Sequence, residues 1–293
     1  MDICDVAIIG AGHNGLVCAS YLAAAGLDVR LYERRAIVGG AAVTEEFAPG
    51  FRNSTASYTV SLLAPQVIAD LDLHRHGLRI VERRIQNFMP LPDGRHLIAS
   101  PGRTRASVAQ FSAKDAEQLD AFSAELERVA DALRKEILRA PPNLVEGPLR
   151  RVGAQALRAL GFGVRLHALN HADRIALFEL FTKSAGDLLD SWFESDPIKA
   201  LFGFDAIVGN YASPYTPGSA YVLLHHAFGE VNGRKGLWGH AIGGMGAITQ
   251  AMAAAARERG VKIYCNSPVR EISIEKGRAA GLVLENGDRV RAR

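Results

Sequence analysis

The chain has 293 residues, of which 48% are hydrophobic and 22% are charged, a balance typical of a folded globular protein. Its 34 basic and 31 acidic side chains leave a net charge of +3, and without a block of consecutive Lys or Arg this small excess does not indicate nucleic-acid binding. No stretch reaches the roughly 18 apolar residues of a membrane span, and the N-terminus enters a predicted strand too early for a secretory signal. We therefore expect a cytoplasmic protein, or a protein of the mitochondrial matrix if the source is eukaryotic.

The three cysteines, Cys4, Cys18 and Cys265, are far apart and form no Cys-x-x-Cys pair. A zinc knuckle and a redox-active dithiol both need closely spaced cysteines, so neither is predicted, and the sequence indicates no other metal site. We interpret the three side chains as small apolar residues.

The first forty residues follow the order of a βαβ unit. Asp5–Ile9 is a short apolar strand, Gly10–Gly15 has the pattern Gly-x-Gly-x-x-Gly, and Leu16–Ala25 is a predicted helix. A second strand, Asp28–Tyr32, is followed directly by Glu33. This complete order predicts a dinucleotide-binding site, whereas an isolated glycine motif would be weak evidence for one.

Each part of this unit has a physical role in binding a nucleotide. Gly10 permits a tight turn, Gly12 lets the backbone approach a pyrophosphate, and Gly15 lets the helix pack near the strand. The helix N-terminus offers N–H groups and a partial positive charge to the phosphates. Glu33, 18 residues after Gly15, is placed to accept hydrogen bonds from ribose hydroxyls. The other residues of the turn that we predict to bind the cofactor are Ala11, His13 and Asn14.

The residues after the second strand bear on which nucleotide is bound. Arg34 and Arg35 could hold a 2′-phosphate, but the neighbouring carboxylate of Glu33 would repel that phosphate. The motif therefore favours FAD or NAD over NADP, and the spacing alone does not separate those two. The arginines could instead lie over the adenine or beside the pyrophosphate.

A glycine pair lies six residues beyond Glu33, at Gly39 and Gly40. An acid followed by Gly-Gly at this distance resembles the extended FAD signature of the amine-oxidase and phytoene-desaturase superfamily. The resemblance implies that Gly39, Gly40 and Ala41 lie beside the diphosphate and ribityl chain of FAD. Many superfamily members carry an arginine shortly after the glycine pair, where this chain has Ala41 and Ala42, so the flavin contact of that arginine is not expected here.

Further motifs resemble the phytoene-dehydrogenase-like group of FAD-dependent oxidoreductases over essentially the whole chain. They are residues 39–46, 49–51, 57–58, 61–63, 213–214, 217–218, 225–226, 236–238 and 243–246. The resemblance implies a dehydrogenase or desaturase that acts on a hydrophobic small molecule, with the backbone of Val269 pairing with adenine. Members of the group are longer, and their C-terminal part supplies more of the substrate domain, so the chain is expected to correspond to an N-terminal portion of such a protein.

The middle of the chain is predicted to be mainly helical. Pro92-Asp93-Gly94 is a hairpin signal, and Ser112-Ala-Lys-Asp115 resembles a capping box that starts a helix ended by Pro141-Pro142. A second amphipathic helix combines apolar residues with basic ones, so it is either a solvated surface helix or a peripheral membrane contact. Its apolar residues are Leu149, Val152, Leu157, Leu160 and Val164, and its basic residues are Arg150, Arg151, Arg158 and Arg165.

Aromatic residues between Asp173 and Phe204 could form the wall of a substrate cavity or, more commonly, a hydrophobic core. His225 and His226 are the one pair of titratable side chains in an apolar segment. Histidine is a natural acid or base near neutral pH, but a flavin dehydrogenation does not always need one, and we assign both to structure. No catalytic residue is predicted.

The last sixty residues return to the nucleotide-binding domain. Gly243–Gly246 starts a helix over 247–259 with no convincing strand before it, and the resemblance implies that this loop faces the flavin. A strand over 261–264 follows, and then a meander with strands at 269–274, 280–285 and 289–291. We predict a type I′ turn at Asn286-Gly287.

The predicted fold is therefore α/β. A Rossmann-like βαβ domain that binds FAD or NAD(P), with an antiparallel meander, is expected at residues 1–75 and 236–293. A mainly helical α+β substrate or cap domain is expected at residues 76–235. An FAD-dependent oxidoreductase is the function favoured by the motifs. The alternative is a nucleotide-binding module without catalysis, acting as a regulatory partner protein. A simple NAD-dependent dehydrogenase is disfavoured by the Gly39-Gly40 pair and the meander.

Overall fold

The computed structural model describes residues 2–146 and 148–293. The chain forms two compact units: a terminal unit, Met1–Arg83 with Glu230–Arg293, and a central unit, Arg84–Gly229. The predicted boundaries lay at 75/76 and 235/236, so the terminal unit also contains residues 76–83 and 230–235. Two contacts explain the difference. The strand Ile80–Glu82 pairs with Gly239–Ala241, and the N–H of Glu230 donates to the carbonyl of Ser61 at 2.9 Å.

The elements of the first part of the terminal unit are β1 (Asp2–Cys4), β2 (Val6–Ile9), α1 (His13–Ala24), β3 (Val29–Tyr32), β4 (Thr44–Ala48), β5 (Phe51–Ser54), α2 (Pro65–Asp70) and β6 (Ile80–Glu82). Those of the central unit are β7 (Asn87–Pro90), β8 (His96–Ala99), α3 (Thr104–Val108), α4 (Ala113–Ile137), α5 (Leu149–His167), α6 (His171–Thr182), α7 (Ala185–Trp192), α8 (Asp196–Asp205) and α9 (Ala220–Ala227). The terminal unit resumes with β9 (Glu230–Val231), β10 (Arg234–Lys235), β11 (Gly239–Ala241), α10 (Met245–Glu258), β12 (Lys262–Tyr264), β13 (Val269–Glu275), β14 (Arg278–Leu284) and β15 (Arg289–Ala292).

A parallel sheet with strand order β12-β3-β2 forms the centre of the terminal unit. All four residues of β3 are buried, as expected for the middle strand of such a sheet. The helices α1 and α10 pack against each other, and both bury small side chains that allow a close approach, including Ala19 on α1 and Ala255 on α10. The predicted βαβ unit is therefore present, and the carboxyl ends of β2, β3 and β12 lie at one edge of the sheet.

The meander forms a separate sheet with strand order β1-β15-β14-β13. Its two turns differ from each other, and only the second was predicted from the sequence. Lys276 and Gly277 have φ angles of 51° and 77° and join strands paired at Glu275 and Arg278, as in a type I′ hairpin. At the next turn only Gly287 has a positive φ, and its N–H donates to the carbonyl of Leu284 at 3.0 Å. The type I′ prediction at Asn286-Gly287 is wrong, because this longer loop has its central residues one position earlier.

A strand also precedes α10, where none was predicted. β11 is only three residues long and pairs antiparallel with β6, a partner about 160 residues away in sequence. A local pattern does not indicate such a short strand, because its stability comes from the distant partner.

The central unit is mainly helical, with the predicted hairpin formed by β7 and β8. Only half of the predicted capping box is present: the Ser112 hydroxyl accepts a hydrogen bond from the N–H of Asp115 at 3.1 Å and starts α4. The reciprocal bond is absent, because the N–H of Ser112 donates to the carbonyl of Val108 and the carboxylate of Asp115 accepts hydrogen bonds from the N–H groups of Glu194 and Ser195. Phe122 is fully buried and makes edge contacts with Trp192, Phe193 and Phe202. These aromatic residues form a core, whereas Phe178, Phe181 and Phe204 are about half exposed or more.

Candidate nucleotide-binding site

The glycine turn between β2 and α1 is fixed by backbone contacts. Gly10 has a φ of +94°, which side chains rarely allow, and its N–H donates to the carbonyl of Tyr32 at 2.7 Å. A Cβ on Gly15 would lie 2.2 Å from the carbonyl oxygen of Gly10, so only glycine lets α1 start this close to β2. Gly12 precedes α1 as its N-cap, and among the described residues no side chain caps this helix start. The N–H groups of the first turn are therefore available to a ligand.

The Gly39-Gly40 pair folds back onto this turn. The N–H of Gly39 donates to the carbonyl of Ala11 at 2.9 Å, and Gly12 and Gly39 form a parallel bridge. Gly39 and Gly40 have φ angles of 137° and 59°, and a Cβ on Gly40 would lie 3.1 Å from the Cα of Gly12. Two glycine turns that are distant in sequence thus meet backbone to backbone in front of α1. This arrangement leaves a cradle without side chains, as the close approach of a diphosphate requires.

Glu33 lies at the carboxyl end of β3 and is buried. Its carboxylate accepts hydrogen bonds from the N–H of Ala11 at 2.8 Å and the N–H of Arg35 at 2.9 Å, one on each oxygen. A carboxylate has about four acceptor positions, so about two remain for ribose hydroxyls. The same side chain therefore fixes the glycine turn and can bind a sugar next to it.

The two arginines after Glu33 have different surroundings. Arg35 forms an ion pair with Glu45, and the hydrogen bond and charge of that carboxylate raise the pKa of the guanidinium above its ordinary value. Arg34 is exposed, and within the described residues its guanidinium has no hydrogen-bond or ion-pair partner. Only Arg34 is therefore free to interact with a nucleotide through its charge.

A cavity of about 510 Å³ joins these features. The predicted cofactor-binding residues that line it are Gly10, Gly12, Glu33, Arg34, Gly40 and Val269. Arg35, which the sequence also placed near the nucleotide, lines it too. The lining residues that sequence reasoning missed are Ile9, Tyr32, Ser267, Pro268 and Glu285.

The other predicted residues lie close to the cavity without lining it. Ala11 and Gly39 are buried behind the turn and hold it through the hydrogen bonds given above. His13 and Asn14 are exposed on the first turn of α1, Gly15 packs against Gly10, and Ala41 is exposed after the glycine pair.

The segment after β12 completes the cavity because it runs beside the end of β3. The N–H of Glu33 donates to the carbonyl of Tyr264, and the N–H of Ser267 donates to the carbonyl of Glu33, both at 2.8 Å. The rings of Tyr32 and Tyr264 stack with centroids 5.1 Å apart. The parallel pairing of β12 with β3 could have indicated this segment, since the residues after parallel neighbours meet at the same edge of a sheet.

The glycine-rich start of α10 has no comparable opening. The N–H of Met245 donates to the Ser54 hydroxyl at 3.0 Å, and the N–H of Gly246 donates to the Thr44 hydroxyl at 2.9 Å. Side chains of the β4–β5 hairpin therefore already satisfy the amides that could have bound a ligand.

The histidine pair belongs to the central unit and does not contribute to the cavity. Burial and then the nearby charge of His226 lower the pKa of His225, while burial raises the pKa of Asp205 against the opposing effect of His226. We assign no catalytic role to these residues. Across residues 2–146 and 148–293, no group of three or more His, Cys, Asp or Glu side chains is placed to hold a metal ion. None of the described helices combines the length and apolar character needed to cross a bilayer.

Residues 15–293 match the protein family described as flavin containing amine oxidoreductase. The chain is 39% identical over 308 residues to rat pyridine nucleotide-disulfide oxidoreductase domain-containing protein 2, covering 99% of the chain and 52% of the relative. It is 28% identical to a zeta-carotene-forming phytoene desaturase of Myxococcus xanthus, covering 98% and 52%. The crystal structure of an oxidoreductase from Methanosarcina mazei matches with a TM-score of 0.59 and 19% identity, covering 100% of the chain and 57% of that structure.

The chain belongs to the flavin containing amine oxidoreductase family. It spans about half the length of the curated relatives it matches. The predicted superfamily and α/β fold class are confirmed. The prediction of FAD is confirmed at the level of the family, which is flavin-containing. The cradle of Gly12 and Gly40, the uncapped start of α1 and the carboxylate of Glu33 fit the adenosine diphosphate half of this cofactor.

Proposed function

We propose that this chain is the FAD-binding portion of an oxidoreductase, of the dehydrogenase or desaturase type, that acts on a hydrophobic small molecule. The backbone contact between Gly12 and Gly40 in front of α1 is the observation that carries this proposal. The amides of the first turn of α1 would hold the diphosphate, and Glu33 would hold the ribose. When bound, FAD supplies the acceptor for two electrons and a proton, and the chain supplies binding and orientation.

Gly12→Ala tests the cofactor site with little effect on the fold. The φ of Gly12 is −69°, and an added Cβ would make only an ordinary contact, 3.9 Å from the Cα of Gly40. The new methyl group would nevertheless enter the space proposed for the diphosphate. We expect FAD affinity to fall at least about fivefold, since overpacking of this kind costs about 1–3 kcal/mol. The measurement is quenching of FAD fluorescence on titration with protein.

The matched control is Gly153→Ala, a glycine on α5 with nothing within 4 Å of its added Cβ. It should bind FAD as the unmodified chain does. The proposal of a flavin site fails if the unmodified chain takes up no FAD, or if Gly12→Ala, still folded by circular dichroism, binds FAD with unchanged affinity.

The hydrophobic substrate is supported by two observations. A relative bears the name phytoene desaturase, and the central unit exposes aromatic side chains, including Phe178 at 69% and Phe204 at 50%. Anaerobic mixing of the flavin-loaded protein with apolar alkenes and with primary amines separates the candidates. Bleaching of the flavin absorbance by an alkene alone supports the proposal, and bleaching by an amine alone contradicts it. If no candidate bleaches the flavin, a nucleotide-binding module without catalysis becomes the better description.

We further propose that α5 contacts an anionic membrane surface. Leu157, Leu160 and Val164 lie on one face of this helix and are 71%, 65% and 60% exposed. Arg151 and Arg158 lie on the adjoining face, and Arg150 lies two turns before Leu157. These three arginines have no ion-pair partner within the described part of the chain, while Arg165 pairs with Glu136. An exposed apolar stripe beside unpaired cations is suited to a partner with an apolar interior and a negatively charged surface, as an anionic membrane has.

Flotation with vesicles tests this contact. Vesicles containing phosphatidylserine should bind the protein, and vesicles of phosphatidylcholine alone should bind it less. Changing the three unpaired arginines to Glu, or Leu157, Leu160 and Val164 to Ser, should abolish flotation without unfolding, because all six side chains are exposed. The control changes Arg278 and Arg289 of the meander to Glu. Equal loss in the control, or no flotation by the unmodified chain, contradicts the proposal.

A further inference from the structure

The order of the residues along the cavity indicates where the base of a bound nucleotide would lie. Gly10, Gly12 and Gly40 form its phosphate end, and Glu33 follows at the end of β3. Beyond Glu33 the lining consists of the segment after β12, where the N–H of Ser267 is bonded to the carbonyl of Glu33. A nucleotide with its diphosphate at α1 and its ribose at Glu33 therefore has its base beside this segment.

Glu285 is part of the same lining and comes from a different element, the loop after β14. Its N–H donates to the carbonyl of Pro268 at 2.9 Å, which fixes it next to the segment that receives the base. The side chain is exposed, and its carboxylate has no hydrogen-bond or ion-pair partner among the residues described here. Two other acidic residues near the site already have partners: Glu33 accepts hydrogen bonds from two backbone amides, and Glu45 pairs with Arg35.

We propose that Glu285 is a specificity residue that selects adenine by accepting a hydrogen bond from its exocyclic amine. An ionised carboxylate only accepts hydrogen bonds. Adenine presents an N–H donor at its 6-position, whereas hypoxanthine presents a carbonyl oxygen there, which the carboxylate repels. This inference rests on the proposed nucleotide site and adds to it the means by which one base is chosen.

Arg34 is the competing candidate for recognition of the base, and its chemistry predicts the opposite preference. Its guanidinium also lines the cavity without a partner among the described residues, but it only donates hydrogen bonds. If Arg34 contacted the 6-position, it would favour hypoxanthine over adenine. We instead assign Arg34 to the negative charge of the diphosphate, which is the same for both bases.

Calorimetric titration of the flavin-free chain with ADP and with IDP tests the assignment without any measurement of activity. The unmodified chain should bind ADP about tenfold more tightly than IDP, the effect of one hydrogen bond to a charged group. Glu285→Gln should reduce this preference to less than about threefold, because an amide can both accept and donate. Glu271→Gln, an exposed acid on β13 outside the lining, is the charge-matched control and should keep the preference. Arg34→Gln should weaken ADP and IDP equally.

The outcomes separate this inference from the function on which it rests. If neither ADP nor FAD binds the unmodified chain, the proposed nucleotide site fails and the inference with it. If ADP binds but IDP binds equally well, or if Glu285→Gln keeps the tenfold preference, the site stands and the role of Glu285 is overturned. A preference for IDP that Arg34→Gln removes would overturn it in favour of Arg34.

Discussion

Two helices of the terminal unit begin in nearly the same way and use their first amides for different purposes. α1 follows Gly10 and Gly12, and α10 follows Gly243 and Gly244, with a positive φ in each turn. The first turn of α1 has no side-chain cap in the described structure and lies beside a cavity. The first turn of α10 is bonded to the hydroxyls of Thr44 and Ser54. A glycine-rich helix start is therefore a candidate ligand site in α1 and an internal joint in α10, that is, a contact between the helix start and the β4–β5 hairpin.

The internal joint also supports the candidate ligand site. Thr249 on α10 donates its hydroxyl hydrogen to the carbonyl of Ala42 at 2.8 Å, two residues after the glycine pair. The start of α10 is thus attached to the segment over residues 42–44, and this attachment helps to place Gly40 against Gly12. The comparison shows that glycine removes side chains for two reasons: access for a phosphate, and close contact with a neighbouring strand.

The largest expected effect comes from adding a methyl group where the backbone is in closest contact. In Gly15→Ala the new Cβ would lie 2.2 Å from the carbonyl oxygen of Gly10, and in Gly246→Ala it would lie 2.6 Å from the nitrogen of Thr44. We expect each to lower the free energy of unfolding by about 3 kcal/mol or more, because the obstacle is backbone in both cases. Urea denaturation measures this. A loss of unfolding free energy below about 1 kcal/mol in either variant would contradict the close backbone contact at that glycine.

A third helix start, that of α4 in the central unit, predicts an acid-dependent effect. Asp115 is fully buried, and burial alone would raise its pKa. Hydrogen bonds from the Ser195 hydroxyl and from the N–H groups of Glu194 and Ser195 outweigh burial and hold the pKa of Asp115 below its ordinary value. The ionised carboxylate of Asp115 therefore stabilises the folded state fully above about pH 4. This contribution is lost as the pH falls further, since Asp115 binds a proton more readily in the unfolded chain than in the folded one.

Asp115→Asn should lower the free energy of unfolding by about 2 kcal/mol at pH 7, because the amide cannot accept all of these hydrogen bonds. The difference from the unmodified chain should shrink at pH 3. Urea denaturation at the two pH values measures it, and a difference that is the same at both would contradict the role of the ionised carboxylate.

A smaller effect is expected at the joint between α10 and β4. Thr44→Val keeps nearly the same shape but removes the acceptor of the buried N–H of Gly246, which should cost about 1.5 kcal/mol. Ser54→Ala should cost less, about 0.5 kcal/mol, because Ser54 is only half-buried and water can replace it. Thermal denaturation compares the two. Equal costs would contradict this account, because losing the acceptor of a buried N–H should cost more than losing an acceptor that water can replace.

The local part of this site could be predicted from the sequence because its residues follow one another along the chain. The glycine turn, α1, β3 and Glu33 lie within 35 residues, and each has a characteristic residue type. Ser267, Pro268 and Glu285 could not be predicted in the same way. Their position depends on the pairing of β12 with β3, whose register joins residues more than 200 positions apart. The same reason explains β11, which pairs with β6, and the unit boundary that this pairing moves.

The aromatic segment shows another limit of sequence reasoning. Phe122, Trp192, Phe193 and Phe202 form one core cluster, while Phe204, two residues later, is half exposed. Residue type alone does not separate these roles, because an aromatic side chain is equally suited to a core and to a cavity wall. The fold decides which of them is covered.

Hydrogen exchange at the two glycine-rich helix starts tests the central claim most directly. Exchange of the amides in residues 10–16 and in residues 243–250 would be followed by mass spectrometry with and without FAD. We expect FAD to slow exchange at residues 10–16 and to leave residues 243–250 unchanged, because the amides of Met245 and Gly246 are already bonded within the protein. Bound FAD with unchanged exchange at residues 10–16, or with slower exchange only at residues 243–250, would contradict the assignment of the diphosphate to α1.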